Sequence, residues 1–354
     1  METILVTGGA GFLGSTIAFR LKADHPAARI VALDNLRRRG SELNLSRLAA
    51  RGIEFRHADI RAPDDLDIGA LDLVVECSAE PSVLAGRAGD SRYLLDTNLG
   101  GAINCLELAR RHRAALLFVS TSRVYPFDRI GALPFAVAGE RFVLDGAAGL
   151  PPGVSAAGLT TEFPLPGRRT LYGASKLAAE LIVQEFADIF DLPALILRFG
   201  VIAGPWQMGK LDQGFVALWV ARHLAGKPLS YCGYEGSGRQ VRDVLHVEDA
   251  ADLIALGIAG LAGQRGTVFN AGGGGGQTIS LAELTVLCQT LTGRSIAIAR
   301  DPATRPGDIP WYVTDNRAAT AAFGWAPSRP IPVVVADLCR WIAENGDKLA
   351  AILH

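Results

Sequence analysis

The chain lacks the long apolar run that a membrane crossing needs: nowhere in its 354 residues does a stretch approach the ~20 apolar positions of a span. It also lacks an excess of either charge. Lys plus Arg number 35 and Asp plus Glu 36, a formal net charge of −1. The strong basic bias of a nucleic-acid binder is therefore absent, and neither a nucleic acid nor a membrane is expected as partner. Cysteine is sparse. Cys77, Cys105, Cys232, Cys288 and Cys339 are dispersed, with no CxxC pair and no histidine at metal-ligand spacing. That pattern argues against a disulfide framework, predicts no metal, and fits reduced thiols in a cytoplasmic protein. The start, Glu2-Thr3-Ile4-Leu5-Val6, has no basic n-region before an apolar run, so no secretory leader is expected. There is no internal repeat of the kind that builds solenoids.

What is present is an ordinary globular balance, 49% hydrophobic and 20% charged, in a length suited to one large or two medium domains. Short apolar runs at Ile4–Val6, Ile30–Leu33, Ile53–Phe55, Leu71–Val75 and Leu116–Val119 read as strands buried on both faces. Amphipathic stretches at Phe12–Lys22, Asn44–Ala50 and Tyr93–His112 alternate with them as helices. This order predicts an α/β fold, a doubly wound parallel sheet. From Pro126 to Arg169 the chain turns rich in Pro, Gly and Ala and reads as a long irregular flap near the site. A helix over Leu171–Phe190 and a strand over Ala194–Phe199 follow. Residues 1–200 are expected to bind the cofactor and 201–354 to form a smaller mixed region interleaved with the last sheet strands. The Gly272–Gly276 run reads as a mobile loop between a strand ending near Asn270 and a helix starting at Ser280.

Gly8, Gly11 and Gly14 sit directly after the first strand, and Phe12 and Leu13 open the first helix. One glycine permits a tight turn, one admits a pyrophosphate and one lets helix and strand pack, while the helix N-terminus offers N–H groups to the anion. Asp34 closes the second strand about twenty residues on, where a carboxylate can take the adenosine ribose hydroxyls and repel a 2′-phosphate. Together they imply NAD. The run Arg37-Arg38-Arg39 reads either as a solvated turn or as a 2′-phosphate ligand. Asp59 and Ile60 fall where adenine would lie, and Asp59 reads equally as a turn or helix cap.

Tyr172 and Lys176 stand four residues apart at the start of the helix after the flap, so they share one face. A neighbouring ammonium would favour the phenolate and make a base usable near neutrality. A strand ending in Ser120-Thr121-Ser122 precedes them.

With these motifs the chain resembles, over essentially its whole length, the extended short-chain dehydrogenase/reductase family, its nucleotide-sugar epimerases and dehydratases. The resemblance implies that Thr121 binds the sugar hydroxyl being oxidised, Tyr172 is the base and Lys176 holds the nicotinamide ribose. It places Asn35, Arg38, Cys77, Ser78, Ala79 and Phe199 beside NAD. It also matches Asn98 to a structural position on the long helix, although a polar residue on a helix face reads as well. Ser122, Arg123, Gln207, Gln213, Gly214 and Asp308 would face the nucleotide sugar, and Arg242 and Arg305, which read also as surface ion pairs, its diphosphate. A homodimer or homotetramer through the helices near Leu99–Arg110 and Leu177–Phe190 is implied too.

Dehydratases of the family carry an Asp-Glu pair after the threonine, and decarboxylases keep a Glu where this chain has Arg123, which stays protonated. Epimerisation remains. Several stretches are most similar to the branch that inverts C2 of a CDP-6-deoxyhexose, the CDP-paratose and CDP-tyvelose type: Asp34-Asn35-Leu36, Asp212-Gln213-Gly214-Phe215, Gly238 to His246, and Trp325-Ala326-Pro327. The alternatives are a UDP-sugar 4-epimerase and a non-catalytic NAD-binding sensor or scaffold. Glu76-Cys77-Ser78-Ala79 departs from the usual His-Leu-Ala loop, and Pro126 from a usual Gly.

Overall fold

A computed structural model of the chain describes residues 1–86, 91–209 and 213–353. Asp212, in one of the resembling stretches, lies outside the described residues. The first half alternates strands and helices in the expected order. β1 (Thr3–Thr7), α1 (Phe12–Asp24), β2 (Arg29–Asp34), α2 (Leu45–Ala49), β3 (Glu54–His57) and β4 (Leu73–Glu76) come first. α3 (Ser91–Leu95) runs through a π-turn at Asp96–Gly100 into α4 (Gly101–His112), and β5 (Ala115–Thr121) follows.

α5 (Phe127–Gly131), a hairpin of β6 (Phe135–Ala138) with β7 (Arg141–Leu144), and a small hairpin of β8 (Val154–Ser155) with β9 (Gly158–Leu159) fill the segment expected to be an irregular flap. The flap expectation is corrected on two counts. The insert is folded around its own core, in which Tyr125, Ile130, Leu159 and Phe163 pack on Val241, Trp311 and Tyr312. None of its residues from 126 to 169 lines the large cavity described below.

After α6 (Leu171–Ile189) and β10 (Ala194–Phe199), the chain leaves the main sheet through β11 (Val201–Ala203), α7 (Phe215–Ala225), β12 (Leu229–Cys232) and β13 (Val241–His246). It returns with α8 (Val247–Ala259) and β14 (Arg265–Ala271), then ends in β15 (Thr278–Ser280), α9 (Leu281–Thr292), β16 (Ile298–Asp301), β17 (Trp311–Tyr312), α10 (Arg317–Phe323), α11 (Ile331–Glu344) and a last short helix.

The main sheet has seven strands in the order β14-β10-β5-β4-β1-β2-β3, every neighbouring pair parallel. Every residue of β1, β4 and β10 is buried, which is why these strands read as unbroken apolar runs. Helices cover both faces. Ile17 and Leu21 of α1 and Leu253 and Ile254 of α8 pack on one side. Leu106 and Ala109 of α4 and Ala179 and Val183 of α6 pack on the other. Each such leucine or isoleucine contributes roughly 1.5–3 kcal/mol by leaving water. The strand order reverses between β1 and β4, the switch point beyond whose carboxyl ends α/β sheets hold ligands.

A second core joins α7, α9 and α11 through Leu218, Trp219, Leu284, Val334 and Leu338. Beside it lie the small sheet of β11, β13, β15 and β17 and the parallel β12–β16 pair. The start of the glycine run at 272–276 is not the loose loop its composition suggests, although Gly275 and Gly276 are exposed with open space around them. A Cβ on Gly272 would lie 2.2 Å from Thr314 Oγ1, and one on Gly273 2.4 Å from the Val244 carbonyl oxygen. Glycine stands there because backbone packs directly on the buried Asp243 and Thr314.

Candidate functional site

One continuous cavity of about 1100 Å³ runs from the carboxyl ends of β1, β2 and β4, past the start of α6, to the wall made by β12 and β16. At its first end the chain builds a cradle. Gly8 takes a φ of +63°, and a Cβ there would press on the backbone of Cys77 and Ser78 at 3.1 Å. A Cβ on Gly14 would stand 2.2 Å from the Gly8 carbonyl oxygen, so only glycine lets the first turn of α1 come this close to the loop. Gly11 is the N-cap of α1 and leaves the helix's first N–H groups facing the cavity.

Asp34 accepts from the backbone N–H of Leu36 at 2.8 Å and of Ala10 at 3.2 Å, and burial raises its pKa against those bonds. Its carboxylate therefore braces the glycine loop while lining the cavity. Phe12, Leu13, Asn35, Ile60, Cys77, Ser78, Ala79 and Phe199 line the same end. This cradle fits a dinucleotide.

Two residues expected here do not reach the cavity. Asp59 is drawn aside by Arg61 at 2.7 Å and Asn35 at 2.9 Å, and that pairing holds its carboxyl far below the usual range. Asn98 is buried in a tie. Its amide donates to Ser175 Oγ at 3.1 Å and to the Glu80 carbonyl at 3.2 Å, while its oxygen accepts from the Glu80 N–H at 2.8 Å. It fastens the loop after β4 to α6 rather than touching a ligand.

The three arginines after β2 divide. Arg39 is exposed, and Arg37 lies 3.7 Å above the Tyr93 ring. Arg38 crosses to the loop before α7, donating to Gln213 Oε1 at 2.5 Å and to the Met208 carbonyl at 2.7 Å. It makes a strap between two parts of the cavity wall.

Midway along the cavity, β5 ends in Thr121, and α6 starts from the N-cap Thr170, whose hydroxyl accepts from the Gly173 N–H at 3.2 Å. This cap sets Tyr172 in the first helical turn, where the helix dipole favours an anion. Thr121, Ser122, Arg123, Tyr172 and Lys176 all line the cavity. Burial raises the Tyr172 phenol; the Thr121 hydroxyl and the Arg123 charge pull it back, and Glu76 and Glu80 oppose them.

Here the geometry differs from the simple Tyr–Lys picture. Lys176 Nζ lies 3.4 Å from Glu76 Oε2 and 3.9 Å over the Phe118 ring, with both charged side chains almost fully buried. The ammonium thus faces the carboxyl of Glu76, whose pKa burial raises and Lys176 draws back.

At the far end Gln207, Gln213, Gly214, Arg242, Arg305 and Asp308 line the cavity, as expected. Arg242 is held by protein acceptors: Asp308 Oδ1 at 2.9 Å and the carbonyls of Ile309 and Val241 at 2.8 Å. Arg305 meets Cys232 Sγ at 3.2 Å. Gln240, Arg222, Trp219, Ser230 and Asp301 also line this end, and sequence reasoning missed them. Their elements lie far apart in the chain and carry no fixed spacing. The one available signal was the position of Gln240 within the Gly238–His246 stretch. Its Nε2 donates to the Cys232 carbonyl at 2.7 Å, and its buried Oε1 has no protein partner.

Comparison with known proteins agrees with this architecture. CDP-paratose 2-epimerase of Salmonella typhi is 30% identical over 340 residues, 92% of this chain and 94% of that one. Among solved structures, a double mutant of dTDP-glucose 4,6-dehydratase from Streptomyces venezuelae with NAD bound superposes with a TM-score of 0.80 at 27% identity, covering 99% of this chain and 100% of the other. UDP-glucose 4-epimerase of Thermus thermophilus in complex with NAD gives 0.74 at 26%, covering 97% and 99%. The sequence profile of the NAD dependent epimerase/dehydratase family matches residues 4–272, from the first strand of the parallel sheet to the glycine run after its last, and the chain belongs to that family of NAD-dependent enzymes.

Proposed function

We propose that the chain epimerises a nucleotide-activated hexose, at C2 of a CDP-6-deoxyhexose of the CDP-paratose and CDP-tyvelose type, by transient oxidation to the ketone. The observation that carries this reading is the single cavity. It joins the glycine cradle to Thr121 and Tyr172 and continues to Arg242 and Arg305, so dinucleotide, sugar ring and diphosphate fit end to end. NAD held in the cradle supplies a reversible hydride acceptor.

Tyr172 takes the proton from the hydroxyl being oxidised and later returns it, while the Thr121 hydroxyl bonds the reacting oxygen. Lys176 and the cradle fix the ribose side. Wall residues of β12 and β16 enclose the nucleotide and leave the sugar room to present its other face before reduction. Arg123 supports epimerisation over elimination, because a guanidinium cannot donate a proton to a departing hydroxyl. Similarity to CDP-paratose 2-epimerase supports C2 and the cytidine nucleotide.

The test is proton NMR of the purified protein, with no NAD added, incubated separately with CDP-tyvelose and with UDP-galactose. A new anomeric signal from CDP-tyvelose with altered H1–H2 coupling is the expected result. Conversion of UDP-galactose alone moves the chemistry to C4. If neither changes, the C2 assignment falls.

The same reading extends to assembly and compartment. Leu181, Ile189 and Phe190 of the α6 region are 54%, 65% and 44% exposed, an apolar stripe that suits a homodimer or homotetramer. No helix among the described residues is long and apolar enough to cross a membrane, and the five cysteines are unpaired, which suits the cytoplasm.

A further inference from the structure

A tyrosine acts as base only after losing its proton, and near Tyr172 the usual source of help is compromised. The Lys176 ammonium sits 3.4 Å from Glu76 Oε2, with the two side chains 2% and 1% exposed. Burial raises the Glu76 pKa and Lys176 draws it back, and the carboxylate so held offsets much of the ammonium's field at a third group. Another cation is placed to act. The Arg123 N–H donates to Thr121 Oγ1 at 3.2 Å, and the Arg123 carbonyl lies where a Cβ on Gly173 would approach within 2.1 Å. Residue 123 is therefore clamped between the threonine at the reacting centre and the residue that follows Tyr172.

Its guanidinium lines the cavity with one hydrogen bond to protein among the described residues, a 3.4 Å contact to the Gly307 carbonyl. Arg242, by contrast, places its donors on Asp308, Ile309 and Val241. We propose that Arg123 is a positioning residue for the reaction: Glu76 has taken up the charge of Lys176, and the Arg123 guanidinium holds Tyr172 as phenolate in its place.

The surrounding charges support this division. Arg123 and the Thr121 hydroxyl draw the Tyr172 phenol down, against burial and against Glu76 and Glu80. Arg123 in turn faces Arg242, Asp308, Tyr172 and Tyr234, and burial brings its own pKa to about 10, which leaves it cationic at neutral pH. The proposal rests on the epimerase reading, since it assigns Tyr172 as the base, so its test is independent of substrate.

Near-ultraviolet titration of tyrosinate in the full chain, carrying the NAD it purifies with, is recorded against Tyr172→Phe so that the difference isolates Tyr172. The other five tyrosines, Tyr93, Tyr125, Tyr231, Tyr234 and Tyr312, are common to both samples and cancel in the difference. In Arg123→Gln the midpoint rises by about one pH unit or more. Arg123→Lys stays near the parent, and the double variant Glu76→Gln/Lys176→Met, which removes both charges of the pair, moves the midpoint by less than Arg123→Gln does. An unchanged midpoint in Arg123→Gln, or a larger rise in the double variant, overturns the proposal. Should Arg123→Gln not survive purification, the double variant decides alone, and a rise of a unit or more there is the overturning result. A negative substrate assay with the expected midpoints would refute the epimerase reading and leave the electrostatic assignment standing. Turnover with unmoved midpoints does the reverse.

Discussion

A methyl group at position 14 would come within 2.2 Å of the Gly8 carbonyl oxygen, so Gly14→Ala forces the loop off the helix. Overpacking of this kind costs about 1–3 kcal/mol. The expected outcome is protein that purifies with little or no NAD and melts several degrees lower, measured by its absorbance ratio and by thermal scan. Tyr172→Phe keeps the ring and the packing but removes the proton carrier. Turnover should fall by about 10²–10⁴ with NAD still bound, as expected for loss of a general base. Thr121→Ala should fall less, since one hydrogen bond to the reacting oxygen is worth about 1–3 kcal/mol. Because the base must be ionised and burial raises its phenol, the rate should increase with pH until Tyr172 has lost its proton. Those three variants rank the cradle, the base and the hydrogen bond separately.

At the scale of elements, one side chain ties the β6–β7 hairpin of the insert to β15 and α9. Arg141 in β7 pairs with Glu283 at 2.5 Å and donates to Thr278 Oγ1 at 3.0 Å and to the Thr278 carbonyl at 3.1 Å. Arg141→Met should speed hydrogen exchange through residues 135–144 and lower stability by about 1 kcal/mol, a figure already discounted for partial exposure. NAD retention should not change, because the insert does not line the cavity. The Arg141 charge keeps the Glu283 pKa below the ordinary value. The pair is thus intact above the unfolded carboxyl pKa of about 4.3 and is lost as pH falls through the lowered value. Faster exchange in this hairpin once pH falls below the ordinary carboxyl value of about 4.3, ahead of the sheet, would show it.

The insert was also the least legible element. β1, β4 and β10 announce themselves because both of their faces are buried, so Leu5, Val74 and Ile196 sit in unbroken apolar runs. β6 leaves Val137 54% exposed, and the insert's core is completed by Val241 and Trp311, far along the chain. No local period encodes that contact. The cradle and the Tyr172–Lys176 pair were readable because short spacings carry them, and Thr121 because it closes a buried strand. Glu76 could be seen as a departure at its position, but its ion pair with Lys176 spans a hundred residues and only folding brings it about. Gly272 and Gly273 misled for the opposite reason, since composition cannot distinguish a slack loop from backbone packed too closely for any side chain.

In the whole molecule, the cradle belongs to the parallel sheet and the loop before α7 belongs to the second core, and Arg38 bridges them through Gln213 and Met208. Arg38→Met should leave the melting profile nearly unchanged and shorten the lifetime of bound NAD, followed by dialysis and fluorescence of the released nucleotide. A strap of this kind sets a clock. An enzyme that removes a hydride and restores it to the same molecule never needs a fresh oxidant, but every opening between the two half-reactions risks losing the ketone and stranding the protein in its reduced form. Under the proposed reaction, Arg38 ties residues of the cavity wall near the cradle to the loop before α7, so loss of dinucleotide and loss of ketone would draw on one contact. The ratio of complete cycles to stranded ones would then depend on how long Arg38 keeps Gln213 and Met208.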